Sequence, residues 1–166
     1  SAGIDLVKKN NNVIMTRTFS KIYGLAGLRL GWAYCPKYVA DIFNKVRLPF
    51  NINKVAMEAG VIALNDKKFY IKSIKHNDYY LNWLNKEIVK LGLIPIPSVA
   101  NFILVKFPAK GKFSAKEVNN YLLSKGIILR RVDNYGLQDF LRISIGKKKE
   151  LIKLIKLLKI YFKKEL

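Results

Sequence analysis

Acidic residues, cysteine and histidine are the scarce components of this 166-residue sequence. Asp and Glu number 11 against 31 Lys and Arg, and there is one cysteine and one histidine. A single thiol cannot close an internal disulfide. Neither Cys35 nor His76 has partners at the spacing a metal site requires, so a disulfide scaffold is excluded and no metal is expected. Cys35 sits in the apolar run Trp32-Ala33-Tyr34-Cys35-Pro36, which predicts a buried, inert thiol, and His76 reads as a polar position on a helix. Long hydrophobic runs are also missing. No apolar stretch approaches the roughly 20 residues that span a bilayer, and no basic segment leads into an apolar one at the N-terminus. The expectation is a soluble cytoplasmic protein with no membrane partner.

The shortage of acid leaves a formal charge of +20, which in a small domain suggests attraction to nucleic acid or to an anionic surface. The lysines are dispersed, with local groups at Lys67-Lys68 and Lys147-Lys148-Lys149 and a periodic set at Lys153, Lys156, Lys159, Lys163 and Lys164. That last set interleaves with Leu151, Ile152, Leu154, Ile155, Leu157, Leu158 and Ile160 at helical spacing, the pattern of an amphipathic helix with a solvated basic face. No zinc-finger spacing, RNP-like aromatic signature or KH-type GXXG loop accompanies the charge. A specific nucleic-acid partner is therefore not expected, only salt-sensitive nonspecific binding.

With 51% hydrophobic residues the chain can bury a core. Its most informative stretch runs from Thr18 to Gly31, TFSKIYGLAGLRLG. Thr16 and Thr18 alternate with apolar neighbours as in a strand, and Ser20-Lys21 then stands where the strand yields to a glycine-punctuated turn. A lysine amine can form a Schiff base with an aldehyde cofactor, while a hydroxyl and a guanidinium can hold that cofactor's phosphate. Lys21, Ser20 and Arg29 are those groups. The glycines at 24, 27 and 31 permit close approach or positive φ. Lysines beside glycines are common on surfaces, so spacing alone does not single Lys21 out.

The run TRTFSKIYGLAGLRLGWAY resembles the pyridoxal phosphate (PLP) signature of fold-type I aminotransferases, above all that of the histidinol-phosphate aminotransferase family. A second segment, GIILRR followed by YGL and FLRISIG, is similar to the C-terminal pattern of that family. The resemblance implies that Lys21 carries PLP and that Ser20 and Arg29, with Thr18 nearby, bind its phosphate. It also implies that Arg142 grips a substrate α-carboxylate and that Arg130, with Arg131 beside it, meets the substrate's phosphate. Histidinol phosphate and 2-oxoglutarate or glutamate would be the substrates and a homodimer the assembly. An aromatic aminotransferase or a threonine-phosphate decarboxylase remains as an alternative reading, as does a basic nucleic-acid-binding module without catalysis. The residues agree with the role of Arg142: in Phe140–Ile145, alternation puts Leu141, Ile143 and Ile145 on one face and Arg142 and Ser144 on the other. Asn51 and Asn53 stand in a PFNIN break, as candidates for either the substrate entrance or a turn cap.

Periodicity predicts strands over 13–19 and 28–35, a helix over 37–47, helices over 54–65 and 67–91, and a C-terminal stop at Gly92. Strands over 100–107, 127–132 and 141–145 follow, with a helix over 114–125 and a closing helix from Lys147. Ser114-x-x-Glu117 fits a capping box. The fold class expected is α/β: residues 1–75 as the end of a large PLP-binding domain and 76–166 as a small C-terminal α/β domain. The family's aspartate for the pyridine nitrogen, its stacking aromatic and its upstream phosphate ligands have no counterpart here. The expectation is the C-terminal portion of a longer enzyme, inactive or very weakly active by itself.

Overall fold

The computed structural model describes residues 3–163, and Lys164 of the C-terminal lysine set lies outside them. The chain forms two compact units, residues 1–74 and 75–166. The first contains α1 (Ile4–Lys9), β1 (Met15–Thr18), β2 (Gly31–Tyr34), α2 (Lys37–Val46), α3 (Lys54–Asn65) and the start of α4 (Lys67–Val89). β1 and β2 pair antiparallel with Thr18 opposite Gly31 and Met15 opposite Tyr34. Met15 and Phe19 are buried, and the buried Gly60 of α3 lies against Leu30 and Phe19 at the foot of the β1–β2 connection. α3 starts at Asn53, whose Oδ1 accepts a 2.8 Å hydrogen bond from the Ala56 N–H, satisfying one of the orphan donors of a helix start. α2 is amphipathic by sequence yet buries no residue.

The second unit is a four-stranded antiparallel sheet of order β3-β4-β6-β5, built from β3 (Ile94–Ile96), β4 (Phe102–Lys106), β5 (Arg130–Val132) and β6 (Leu137–Ser144). In the register Ile103 faces Ile143 and Val105 faces Leu141. These four are at most 1% exposed and pack with Leu84 and Ile88 of α4, Val118 and Leu122 of α5 (Ala115–Ser124), and Leu151, Leu154 and Leu158 of α6 (Lys148–Lys163). Helices thus cover one face of the sheet. Glu87 of α4 is buried there and accepts 2.6 Å hydrogen bonds from Lys90 and from Lys159 of α6. Those two bonds, Lys159 foremost, hold its carboxyl below the usual range against the opposing effect of burial. Among the described residues no helix is long and apolar enough to cross a membrane.

Several expectations are corrected. The stretch expected as one strand over 28–35 begins as a 3₁₀ turn at Ala26–Leu28, and Cys35 is half-buried rather than buried, because β2 is exposed along its length. The strand expected over 127–132 forms only at Arg130–Val132, whereas β6 begins at Leu137, four residues before the apolar alternation that signalled it. β3 carries Pro95 and stands at the sheet edge, where a missing N–H is tolerated. The capping box of α5 is half formed: Ser114 Oγ accepts from Glu117 N at 3.5 Å, but the Ser114 N–H donates to the Gly111 carbonyl. His76 lies on α4, the helix position expected of it, where it is half-buried and its Nε2 donates to the Gly146 carbonyl at 2.9 Å.

Candidate active site

Residues 19–30 link β1 to β2, and hydrogen bonds close the connection at its foot. The Phe19 N–H donates to the Leu30 carbonyl at 3.0 Å, one step beyond the Thr18–Gly31 pair. Inside it, Gly24 N–H returns to Lys21 O at 2.9 Å and Leu25 N–H to Phe19 O at 3.0 Å. Gly24 takes φ of +70°, a region closed to most side chains, and a Cβ on Gly31 would stand 2.8 Å from the Arg17 carbonyl oxygen. The second left-handed residue is not a glycine. Arg29 adopts φ of 53°, with its backbone N–H and its guanidinium (2.8 Å) both directed to the Ala26 carbonyl. A non-glycine residue in this region is strained and is held by its surroundings.

The Thr18 hydroxyl accepts from the Ser20 N–H at 3.0 Å and donates to Ser20 Oγ at 2.8 Å. This leaves the Ser20 hydroxyl proton free to be donated elsewhere. Lys21 is exposed, and among the described residues no carboxylate forms an ion pair with Lys21 or Arg29. One short connection therefore holds a hydroxyl donor, an amine and a guanidinium without counter-charge. That donor set fits a ligand bearing both a phosphate and an aldehyde.

The second cluster lies in the second unit, on the sheet face away from the helices. Arg142 of β6 stands between Leu104 of β4 and Arg130 of β5, directly opposite each in register. Arg130 and Arg142 line one groove of about 810 Å³ whose rim includes Gly126, Ser144 and Gly146. No described carboxylate pairs with either guanidinium. Two like charges directly across a ladder repel unless an anion comes between them. Arg131 is different. It faces Leu141 in the register and forms a two-point ion pair with Asp133, which lowers the Asp133 pKa through hydrogen bonding and raises that of Arg131. It also lines the groove, but with its charge already met by Asp133.

The sequence-predicted residues are thus gathered into two sets, Thr18, Ser20, Lys21 and Arg29 in one unit and Arg130 and Arg142 in the other. Asn53 joins neither: its side-chain carbonyl is occupied in capping α3, leaving only its amide nitrogen for any other contact. Asn51 is likewise engaged, accepting from Arg47 at 3.3 Å. Phe102 was missed. Its ring centroid lies 5.1 Å from the Arg142 guanidinium carbon, and the signal available was its alternation with the buried Ile103 and Val105.

The family model for aminotransferase class I and II matches residues 1–158. The chain belongs to the aminotransferase class I and II family. Over 146 residues, 88% of this chain and 40% of the relative, it is 51% identical to a histidinol-phosphate aminotransferase of Paramagnetospirillum magneticum. It is 45% identical to one from Maricaulis maris over 162 residues, 98% of this chain and 45% of the relative. Two solved histidinol-phosphate aminotransferases share the fold. The Clostridium acetobutylicum enzyme has a TM-score of 0.89 and 25% identity, covering 99% of this chain and 50% of its own. That of Sinorhizobium meliloti, in complex with pyridoxal-5'-phosphate, has a TM-score of 0.80 and 29% identity, covering 94% of this chain and 42% of its own. The α/β, fold-type I architecture read from the motifs is that of this aminotransferase family. The chain spans less than half the length of these curated relatives.

Proposed function

We propose that the complete polypeptide carrying this segment is a PLP-dependent aminotransferase that exchanges the amino group of histidinol phosphate with 2-oxoglutarate. The observation that carries the reading is the Arg130–Arg142 pair, two guanidiniums opposite one another on the sheet, neither ion-paired with a described carboxylate although Glu150 lines the same groove. A tetrahedral phosphate dianion suits two guanidinium forks, and a carboxylate suits one. One site would then serve both an amine ending in a phosphate and a dicarboxylate acceptor. The 51% and 45% identities to histidinol-phosphate aminotransferases support the same choice.

Bound PLP supplies an electron sink for the charge left when the α-proton departs. Ser20 would donate its hydroxyl proton to the cofactor's phosphate, with Thr18 keeping that hydroxyl oriented, and Arg29 would neutralise the dianion. Lys21 Nζ is the amine that would carry the cofactor's aldehyde carbon, and as a free amine it would take the proton from the substrate α-carbon as general base. Arg142 and Arg130 would hold the substrate's anionic end. A homodimer in the cytoplasm is part of the proposal.

Activity is assigned to the complete polypeptide and not to these 166 residues. Its test is amino transfer from histidinol phosphate to 2-oxoglutarate, followed as glutamate formed with PLP present. Release of carbon dioxide from phosphothreonine without glutamate formation would assign the decarboxylase chemistry instead. Turnover of aromatic amino acids in preference to histidinol phosphate would move the substrate assignment.

A further inference from the structure

Arg142 has an environment that its role as an anion anchor does not explain. Its Nε is buried and has no hydrogen-bond partner, although buried donors are ordinarily paired. The guanidinium carbon lies 5.1 Å from the centre of the Phe102 ring, within cation–π range. Phe102 faces Ser144 across the β4–β6 ladder, and Arg142 faces Leu104. Phe102 is therefore the diagonal neighbour of Arg142 on the same sheet face, within reach of a long side chain. Arg130 stands on the opposite flank.

An unpaired arginine on a strand retains rotamer freedom, which a ligand must remove to use it. A carboxylate neighbour would fix the side chain but occupy the N–H donors a ligand needs. An aromatic face attracts the cation through its quadrupole and consumes no donor. Phe102 and Arg130 stand on opposite flanks of Arg142, so the ring contact does not compete with Arg130 for an anion.

We propose that Phe102 is the positioning residue of the anion site: its ring holds the Arg142 guanidinium in a binding orientation while leaving the terminal N–H groups free. The inference rests on the reading of Arg142 as the substrate anchor. A leucine keeps the packing at this position and removes the quadrupole, and a tyrosine keeps both.

The test uses the complete polypeptide with PLP, comparing Phe102→Leu and Phe102→Tyr by steady-state kinetics with histidinol phosphate and by calorimetric titration with inorganic phosphate. Phe102→Leu is expected to raise KM for histidinol phosphate and weaken phosphate binding by about 3- to 30-fold, the range of a cation–π contact. The kcat should stay within about twofold, and turnover of histidinol, which lacks the phosphate, should be unaltered. Phe102→Tyr is expected to stay within about twofold of wild type throughout. In an Arg142→Gln background the Phe102→Leu effect should vanish, as coupling through Arg142 requires. An equal loss with both substrates, or the same loss with Arg142 absent, would reduce Phe102 to a packing residue and overturn the inference. If the wild type transaminates and binds phosphate but Phe102→Leu changes neither, the inference alone fails. If the wild type does neither, the functional reading fails and this inference with it.

Discussion

The two units bury their apolar residues very differently, although both carry proposed site residues. In the unit of residues 75–166, Leu84, Ile103, Leu122, Leu141 and Leu158 are fully buried and the sheet closes against three helices. In the unit of residues 1–74 the buried apolar set is Val7, Met15, Phe19 and Ala56, while Val46 is 69%, Leu48 75% and Phe50 95% exposed. Scattered exposed apolar side chains are ordinary, but a run of them along α2 and α3 marks a surface meant for cover. The contrast bears on how each site is held. The Arg130–Arg142 groove stands on a sheet with its own core. The Lys21 connection is held by local hydrogen bonds, by Gly24 and by the left-handed Arg29, with little core beneath it.

The comparison breaks first at the chemistry. Lys21→Ala in the complete polypeptide is expected to abolish the visible absorbance of bound PLP and lower turnover by about 10³-fold or more. A retained band would remove Lys21 from the site. Next comes the core. Leu84→Ala should destabilise the second unit by about 2–5 kcal/mol in urea unfolding, whereas Val61→Ala, 60% exposed in the first unit, should stay within about 0.5 kcal/mol. An equal loss at Val61 would mean that this face of α3 is covered in the folded protein. A smaller effect is expected at Asn53→Ala, about 1 kcal/mol from the lost cap, read as faster amide exchange confined to the start of α3. If exchange were unchanged and substrate KM rose instead, the amide would belong to the substrate site.

The smallest effect concerns pH. The folded Glu87 carboxyl titrates below its unfolded value of about 4.3 because Lys159 and Lys90 donate to it. Its contribution is therefore present above that value and is lost as pH falls through the folded pKa. Thermal melts of wild type should lose stability below about pH 4 more steeply than those of Glu87→Gln, and the difference should be confined to the second unit. Parallel melting curves would show that the Lys159–Glu87–Lys90 contact contributes nothing.

The residues proposed to carry the chemistry stand out in the sequence because motif and alternation coincide. Ser20-Lys21 follows a strand, and Arg142 alternates with apolar residues that the structure buries. The α3 and α6 helices were legible from periodicity. What escaped has physical causes. Leu137-Gln138-Asp139 extends β6 without apolar alternation, since the register and not the side chains recruits it. Pro95 disguised an edge strand. The exposure of α2 cannot be read from a pattern that normally signals a buried face, and the left-handed turn falls on Arg29, where glycines were the natural candidates. Phe102 was hidden because its partner, Arg142, lies 40 positions away in sequence and meets it only through strand pairing.

The most direct test of the central claim is borohydride reduction of the complete polypeptide with PLP, followed by peptide mapping. A single pyridoxyl label on Lys21, lost in Lys21→Ala, is the expected result. Labelling spread over the exposed lysines, or a single label on another lysine, would contradict it.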